Sequence, residues 1–149
     1  MKTWILRHTP TLVGVMFLWA GFYKLLYPGQ ATMSLETLNV PYAVAKALIT
    51  ATIIAELYLG VILVRRLDLR FGLSMAMGLM FLFTGYLWHL STLADPPKCG
   101  CLGLTGMFNS SKHEALFGVF RNCVILWALQ LSFDHHFKQV EKAAGPAVA

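Results

Sequence analysis

The chain has 149 residues, 57% of them hydrophobic and only 13% charged, with a net charge of +5 and a mean hydropathy of +0.62. The length fits one domain, and the apolar excess excludes an ordinary soluble globule and points to the bilayer as solvent. The basic residues sit in short clusters beside the apolar runs, with no aromatic-interleaved basic patch, which argues against nucleic acid as a partner.

About 20 mainly apolar residues are needed to cross a hydrocarbon core of about 30 Å. Four stretches meet this requirement, at about residues 11–27, 42–64, 71–93 and 115–133. Their large apolar side chains run right round the helical wheel, whereas a soluble helix shows one stripe. The sequence therefore predicts an all-α, polytopic membrane protein, a single domain over 1–149 built as a four-transmembrane-helix bundle in the lipid bilayer. Lys2 and Arg7 precede the first span, Arg65, Arg66 and Arg70 fill the second connection, and Lys138 and Lys142 follow the fourth span. The positive-inside rule then puts both termini in the cytoplasm and the connection from Ala94 to Lys112 on the extracytoplasmic side. A competing reading takes Lys2, Arg7 and the apolar run before Ala20 and Gly21 as a cleavable signal peptide, with a mature start near Phe22.

In chain order, the first span carries Gly14 and Gly21, small residues that let membrane helices approach closely. It ends in Phe22-Tyr23-Lys24-Leu25-Leu26-Tyr27-Pro28. Lys24, one turn from the end, reads either as a snorkelling interfacial lysine or as a fixed positive charge below the outer surface, favouring a thiolate or a quinone oxygen. The segment from Pro28 to Pro41, with Met33, Leu35 and Leu38, suits a short amphipathic interfacial helix. The second span holds Glu56 deep in an apolar run. A carboxylate there costs about 2.5–3.5 kcal/mol on insertion scales and needs a partner inside the bundle. It is either a structural clamp or a proton-handling group, and Lys46 on the same span reads as a snorkelling anchor.

The third span is rich in Met and Phe (Met75, Met77, Met80, Phe81, Phe83), a pattern of packing or lipid contact more than of a cofactor pocket. Trp88 and His89 fall where an aromatic belt belongs, and His89 is a candidate base. Ser111 and Glu114 suit a capping box opening the fourth span. Inside that span lie Arg121, Asn122 and Cys123. Arg121 requires a partner, either Glu56 or an anionic headgroup or substrate, and Cys123 reads as a buried apolar filler. The polar end from Asp134 to Ala149 reads as disordered.

Between the third and fourth spans runs Asp95-Pro96-Pro97-Lys98-Cys99-Gly100-Cys101-Leu102-Gly103, with two of the three cysteines. Glycine between them lets the backbone turn so that both sulfurs point the same way. A disulfide over one intervening residue is strained, and strained, exposed disulfides are the labile and catalytic ones. Lys24, Lys98 or His89 could lower a thiol pKa by placing positive charge nearby.

Gly21-x-x-Lys24 with Pro28, Glu56-x-x-x-Gly60, Cys99-Gly100-Cys101-Leu102-Gly103 and Arg121-Asn122 together resemble the MauE family of four-helix membrane proteins, in the wider DoxX/DoxD-like group, over residues 5–135. The resemblance implies a redox-associated protein of the bacterial inner membrane. MauE members are linked to maturation of the disulfide-rich methylamine dehydrogenase small subunit, and DoxD relatives to quinone-coupled oxidation of thiosulfate. On this reading the protein is a thiol–disulfide oxidoreductase in which Cys99 and Cys101 exchange with a periplasmic thioredoxin-like or cysteine-rich partner. Membrane quinone is the cofactor implied, though the sequence requires none. Its pocket would lie among spans one, two and four, supported by Lys24, Glu56, His89, Arg121 and Asn122. Two alternatives stand beside it. One is a soft-metal site at Cys99 and Cys101 helped by Met107 or His113, although the loop shows too few ligands for tetrahedral zinc. The other is a non-catalytic membrane anchor or assembly subunit.

Overall fold

The computed structural model describes residues 2–93 and 110–144, and the side chains within 8–93 and 110–138. Those residues form five helices: α1 (Lys2–Leu26), α2 (Pro28–Glu36), α3 (Tyr42–Arg65), α4 (Leu69–Thr92) and α5 (Ser111–Ala144). Four of them are long and apolar enough to cross a membrane, over His8–Leu26, Tyr42–Arg65, Leu69–Thr92 and Ser111–Lys138. The expected all-α architecture and the four spans are present, so the chain is a multi-pass membrane protein.

The helices run further than the apolar stretches that announce them, because a helix continues through polar flanks until something stops it. The stops are local. Tyr27 leaves the helical region and Pro28 starts α2, where its missing N–H is no loss. Arg66 turns into the left-handed region (φ 54°) to close α3, and the Asp68 carboxylate accepts from the Phe71 N–H at 3.1 Å to open α4. The α3–α4 connection is thus only residues 66–68. At the start of α5 the Glu114 N–H bonds to the Ser110 carbonyl, so the capping position is Ser110, one residue before the expected Ser111.

The polar end is a correction. Residues 134–144 continue α5 where disorder was expected. Phe133 and Phe137 stack one turn apart at 5.2 Å, the Gln130 amide donates to Asp134 at 3.2 Å, and the Arg70 guanidinium lies 4.5 Å from the Phe137 ring centre. Side-chain pairs at helical spacing and a cation on the ring hold this segment.

α1 packs most closely on α3 and α4 on α5, whereas α1 with α5, α2 with α3, and α3 with α4 touch less extensively. Val13, Phe17, Leu63, Leu73, Ala76, Met80 and Leu129 form the main core. A Cβ on Gly60 would lie 2.7 Å from Leu18 Cγ and 3.0 Å from the Gly14 carbonyl, one on Gly14 would meet Leu63 at 2.9 Å, and one on Gly21 would meet Leu57 at 3.0 Å. These contacts fix an antiparallel register in which Leu26 lies level with Thr52. α3 therefore runs on for about ten residues, about 15 Å at 1.5 Å per residue, past the end of α1. α2 occupies that step, packed on α3 with Ala31, Thr32 and Ser34 buried, so it is part of the bundle and not only an interfacial helix.

The glycine contacts predict a contrast measurable by thermal unfolding in nanodiscs. Gly60→Ala is expected to lower stability by about 1–3 kcal/mol through overpacking. Gly85→Ala, where a Cβ meets nothing within 4 Å, is expected to leave it unchanged or raise it by up to about 1 kcal/mol.

Candidate functional site

The step between α1 and α3 decides where Lys24 goes. With α1 ending below the top of α3, Lys24 lies well down the bundle, 6% exposed, and forms an ion pair with Glu56 Oε1. The snorkelling reading of Lys24 is therefore replaced: its ammonium faces a carboxylate in the interior and lies 5.2 Å from the Phe83 ring centre. Glu56 is 1% exposed, and among the described residues its second oxygen, Oε2, has no hydrogen-bond partner. A carboxylate taken out of water needs such a cation, since unpaired charge is strongly disfavoured there.

Arg121, the other partner weighed for Glu56, instead donates from Nε (3.2 Å) and Nη2 (2.8 Å) to Oδ1 of its neighbour Asn122, which is 1% exposed. Tyr86 donates to Ser34 Oγ at 2.8 Å and Ser34 donates to the Ala31 carbonyl at 2.8 Å, tying α4 to α2.

These side chains converge on one cavity of about 360 Å³. Its polar lining is Lys24 from α1, Ser34 from α2, Thr52 and Glu56 from α3, Tyr86 from α4, and Arg121 with Asn122 from α5. Its apolar lining comes mostly from Leu48 and Ile49 of α3 and Leu79, Leu82, Phe83 and Leu87 of α4. Leu48 and Leu82 line the cavity yet are 49% and 69% exposed, which puts its mouth between α3 and α4 on the lipid side. A few polar groups in an apolar concavity of this size are what a small ligand's head needs.

Of the residues singled out from sequence, Lys24, Glu56, Arg121 and Asn122 come together here. The pocket expected among spans one, two and four also takes walls from α2 and α4. His89 is exposed near the end of α4, its carbonyl accepting from Thr92 Oγ1 at 2.7 Å, and does not line the cavity. Cys99 and Cys101 lie outside the described residues. Cys123 is exposed where burial was expected, because it follows Asn122 round the helix and points away from the bundle. Among the described residues no three His, Cys, Asp or Glu side chains gather in a metal-binding group.

Thr52, Tyr86 and Ser34 escaped the sequence reading. Thr52 stands one turn before Glu56 on the same helix face, and that spacing could have flagged it. Nothing local in the sequence marked Tyr86 or Ser34.

Four membrane-length helices around a cavity with a buried ion pair define a polytopic helix-bundle membrane protein with a largely apolar internal site that carries a few polar groups. The chain belongs to the family described as Methylamine utilisation protein MauE, which it matches over residues 2–133, including nearly all of the four spans. It is accordingly a membrane protein associated with methylamine utilisation. Among curated proteins and among solved structures, none matches it.

The buried pair makes a prediction about stability. Lys24→Met or Glu56→Leu alone is expected to cost about 3–5 kcal/mol, because each leaves one charge buried and unpaired. The double replacement Lys24→Met with Glu56→Leu is expected to cost less than either, as read by thermal unfolding in nanodiscs; additive losses would count against a coupled pair.

Proposed function

We propose that this protein is a membrane thiol–disulfide exchange protein, using Cys99 and Cys101 on the extracytoplasmic side and the internal cavity as a site for the head of a membrane quinone. The observation that carries the reading is the cavity itself. It opens towards lipid between α3 and α4, is lined by apolar side chains with a few charged and hydroxyl groups, and has a buried acceptor, Glu56 Oε2, without a partner among the described residues. Those residues fit a ring with polar oxygens and an apolar tail. Lys24 and Arg121 supply donors, Glu56 an acceptor, and Leu48 and Leu82 the greasy mouth.

The cysteine connection starts from the roof of this site. Leu87 and Leu90 pack with Leu38, Tyr86, Leu93 and Val119, and Leu87 and Tyr86 also line the cavity. Cys99 follows Leu93 by six residues, a tether of at most about 20 Å when extended. The Arg65, Arg66 and Arg70 cluster at the opposite end supports the extracytoplasmic side for the cysteines.

In the exchange, a thiolate of a periplasmic thioredoxin-like or cysteine-rich partner forms a bond to one sulfur of the Cys99–Cys101 disulfide. The other sulfur leaves as a thiolate. The partner's second thiolate then attacks the partner's first sulfur and displaces the chain's sulfur as a thiolate, leaving an oxidised partner and a reduced Cys99–Cys101 pair, and the reverse sequence reduces a partner. Bound quinone supplies a two-electron, two-proton couple for the pair. The chain's own part is to hold the ring oxygens with Lys24 and Arg121 and to keep water from the ion pair.

Alkylation in nanodiscs tests this. With the pair oxidised, one cysteine, Cys123, is expected to label after denaturation, and all three after treatment with reduced thioredoxin as a probe partner. With oxidised thioredoxin as the probe, one of the single variants Cys99→Ser and Cys101→Ser is expected to accumulate a mixed disulfide, formed as its remaining thiolate attacks the thioredoxin disulfide and displaces a thioredoxin thiolate, and the double variant none. Labelling that thioredoxin does not change would overturn the proposal.

A further inference from the structure

The hydrogen-bonding inventory of the cavity distinguishes the two redox forms of the ligand proposed above, and the inference rests on that reading. An ionised carboxylate is an acceptor only. Glu56 Oε1 is taken by Lys24, whereas Oε2, in a side chain that lines the cavity, has no partner among the described residues. Opposite in character, the Arg121 guanidinium has five N–H donors, and its hydrogen bonds from Nε and Nη2 both go to Asn122 Oδ1. The site thus offers a buried acceptor as well as donors. A quinone ring carries two carbonyl oxygens and no donor, so it can satisfy Arg121 but sets lone pairs against Glu56 Oε2. A hydroquinone ring carries two hydroxyls, each able to donate and to accept.

We infer that the cavity holds the hydroquinone form more tightly than the quinone, with Glu56 Oε2 accepting from a ring hydroxyl. A hydrogen bond to a charged group that would otherwise stay buried and unmade corresponds to a preference of about tenfold or more. Tighter binding of the reduced form raises the midpoint potential of the bound couple, by about 30 mV for each factor of ten in a two-electron reaction. The bound couple is then a better oxidant, which favours electron flow from the Cys99–Cys101 dithiol to the quinone. Two thiols lose two electrons and two protons as the S–S bond forms, and the quinone takes up both to become hydroquinone.

Binding can be measured without turnover on the Cys99→Ser, Cys101→Ser double variant in nanodiscs under nitrogen. The probes are ubiquinone-1 and ubiquinol-1, dialysed against protein-free nanodiscs. Ubiquinol-1 is expected to bind at least about tenfold more tightly. Adding Glu56→Gln, whose amide both donates and accepts, is expected to bring the two affinities within about twofold, whereas Arg121→Lys weakens both forms and keeps the preference. Equal affinities without the Glu56 change, or a preference that survives Glu56→Gln, would overturn the inference and leave the quinone site standing. Failure of both probes to bind would overturn the quinone reading itself. If Glu56→Gln does not fold, the midpoint potential of ubiquinone-1 bound to the double cysteine variant decides. A value about 30 mV or more above that in protein-free nanodiscs supports the inference, and an equal value overturns it.

Discussion

A lysine and a glutamate facing each other inside a lipid-embedded bundle constrain most of what surrounds them. Neither charge is tolerable there alone, and each is tolerable beside the other. Lys24 comes from α1 and Glu56 from α3, so the pair requires these two helices to lie close and in one register. Gly14, Gly21 and Gly60 permit that approach by leaving room for Leu63, Leu57 and Leu18. Where the bilayer gives no hydrophobic drive between helices, close van der Waals contact and polar pairing have to supply the specificity. Here one seam supplies both.

The same register creates the site. Because α1 stops short, the upper part of α3 has no neighbour on that side, and α2 folds back to fill the step. Ser34 on α2 then reaches Tyr86 on α4, closing the top of the cavity while the ion pair and Arg121 with Asn122 furnish its polar lining. Remove the offset between α1 and α3, and Lys24 would sit near the surface as an ordinary interfacial lysine.

The spans were legible because transmembrane helices need length and apolar content, which a linear sequence displays directly. Glu56 was legible for the complementary reason, as a charge deep in an apolar run whose only other charge, Lys46, stands near its end. Gly14 and Gly21 marked the packing seam on α1. What could not be read was depth: Lys24 stands one turn from the end of its helix, and only the register with α3 shows that this end lies inside the bundle. Arg121 could not be assigned a partner from sequence, and its acceptor proved to be the adjacent Asn122. The helical run from Asp134 to Ala144 was hidden because polarity was taken as absence of order, although Phe133, Phe137 and Arg70 were there to hold it.

α3 and α4 are joined by residues 66–68 at one end, where Gly72 meets Ile62 and Leu63, and part company towards the other, where the mouth lies. A molecule with a long hydrocarbon tail can reach this site by diffusing in the plane of the membrane, leaving its tail among the acyl chains while only the head changes surroundings. Capture then becomes a two-dimensional search, and occupancy follows the concentration of the ligand in the bilayer and not in water.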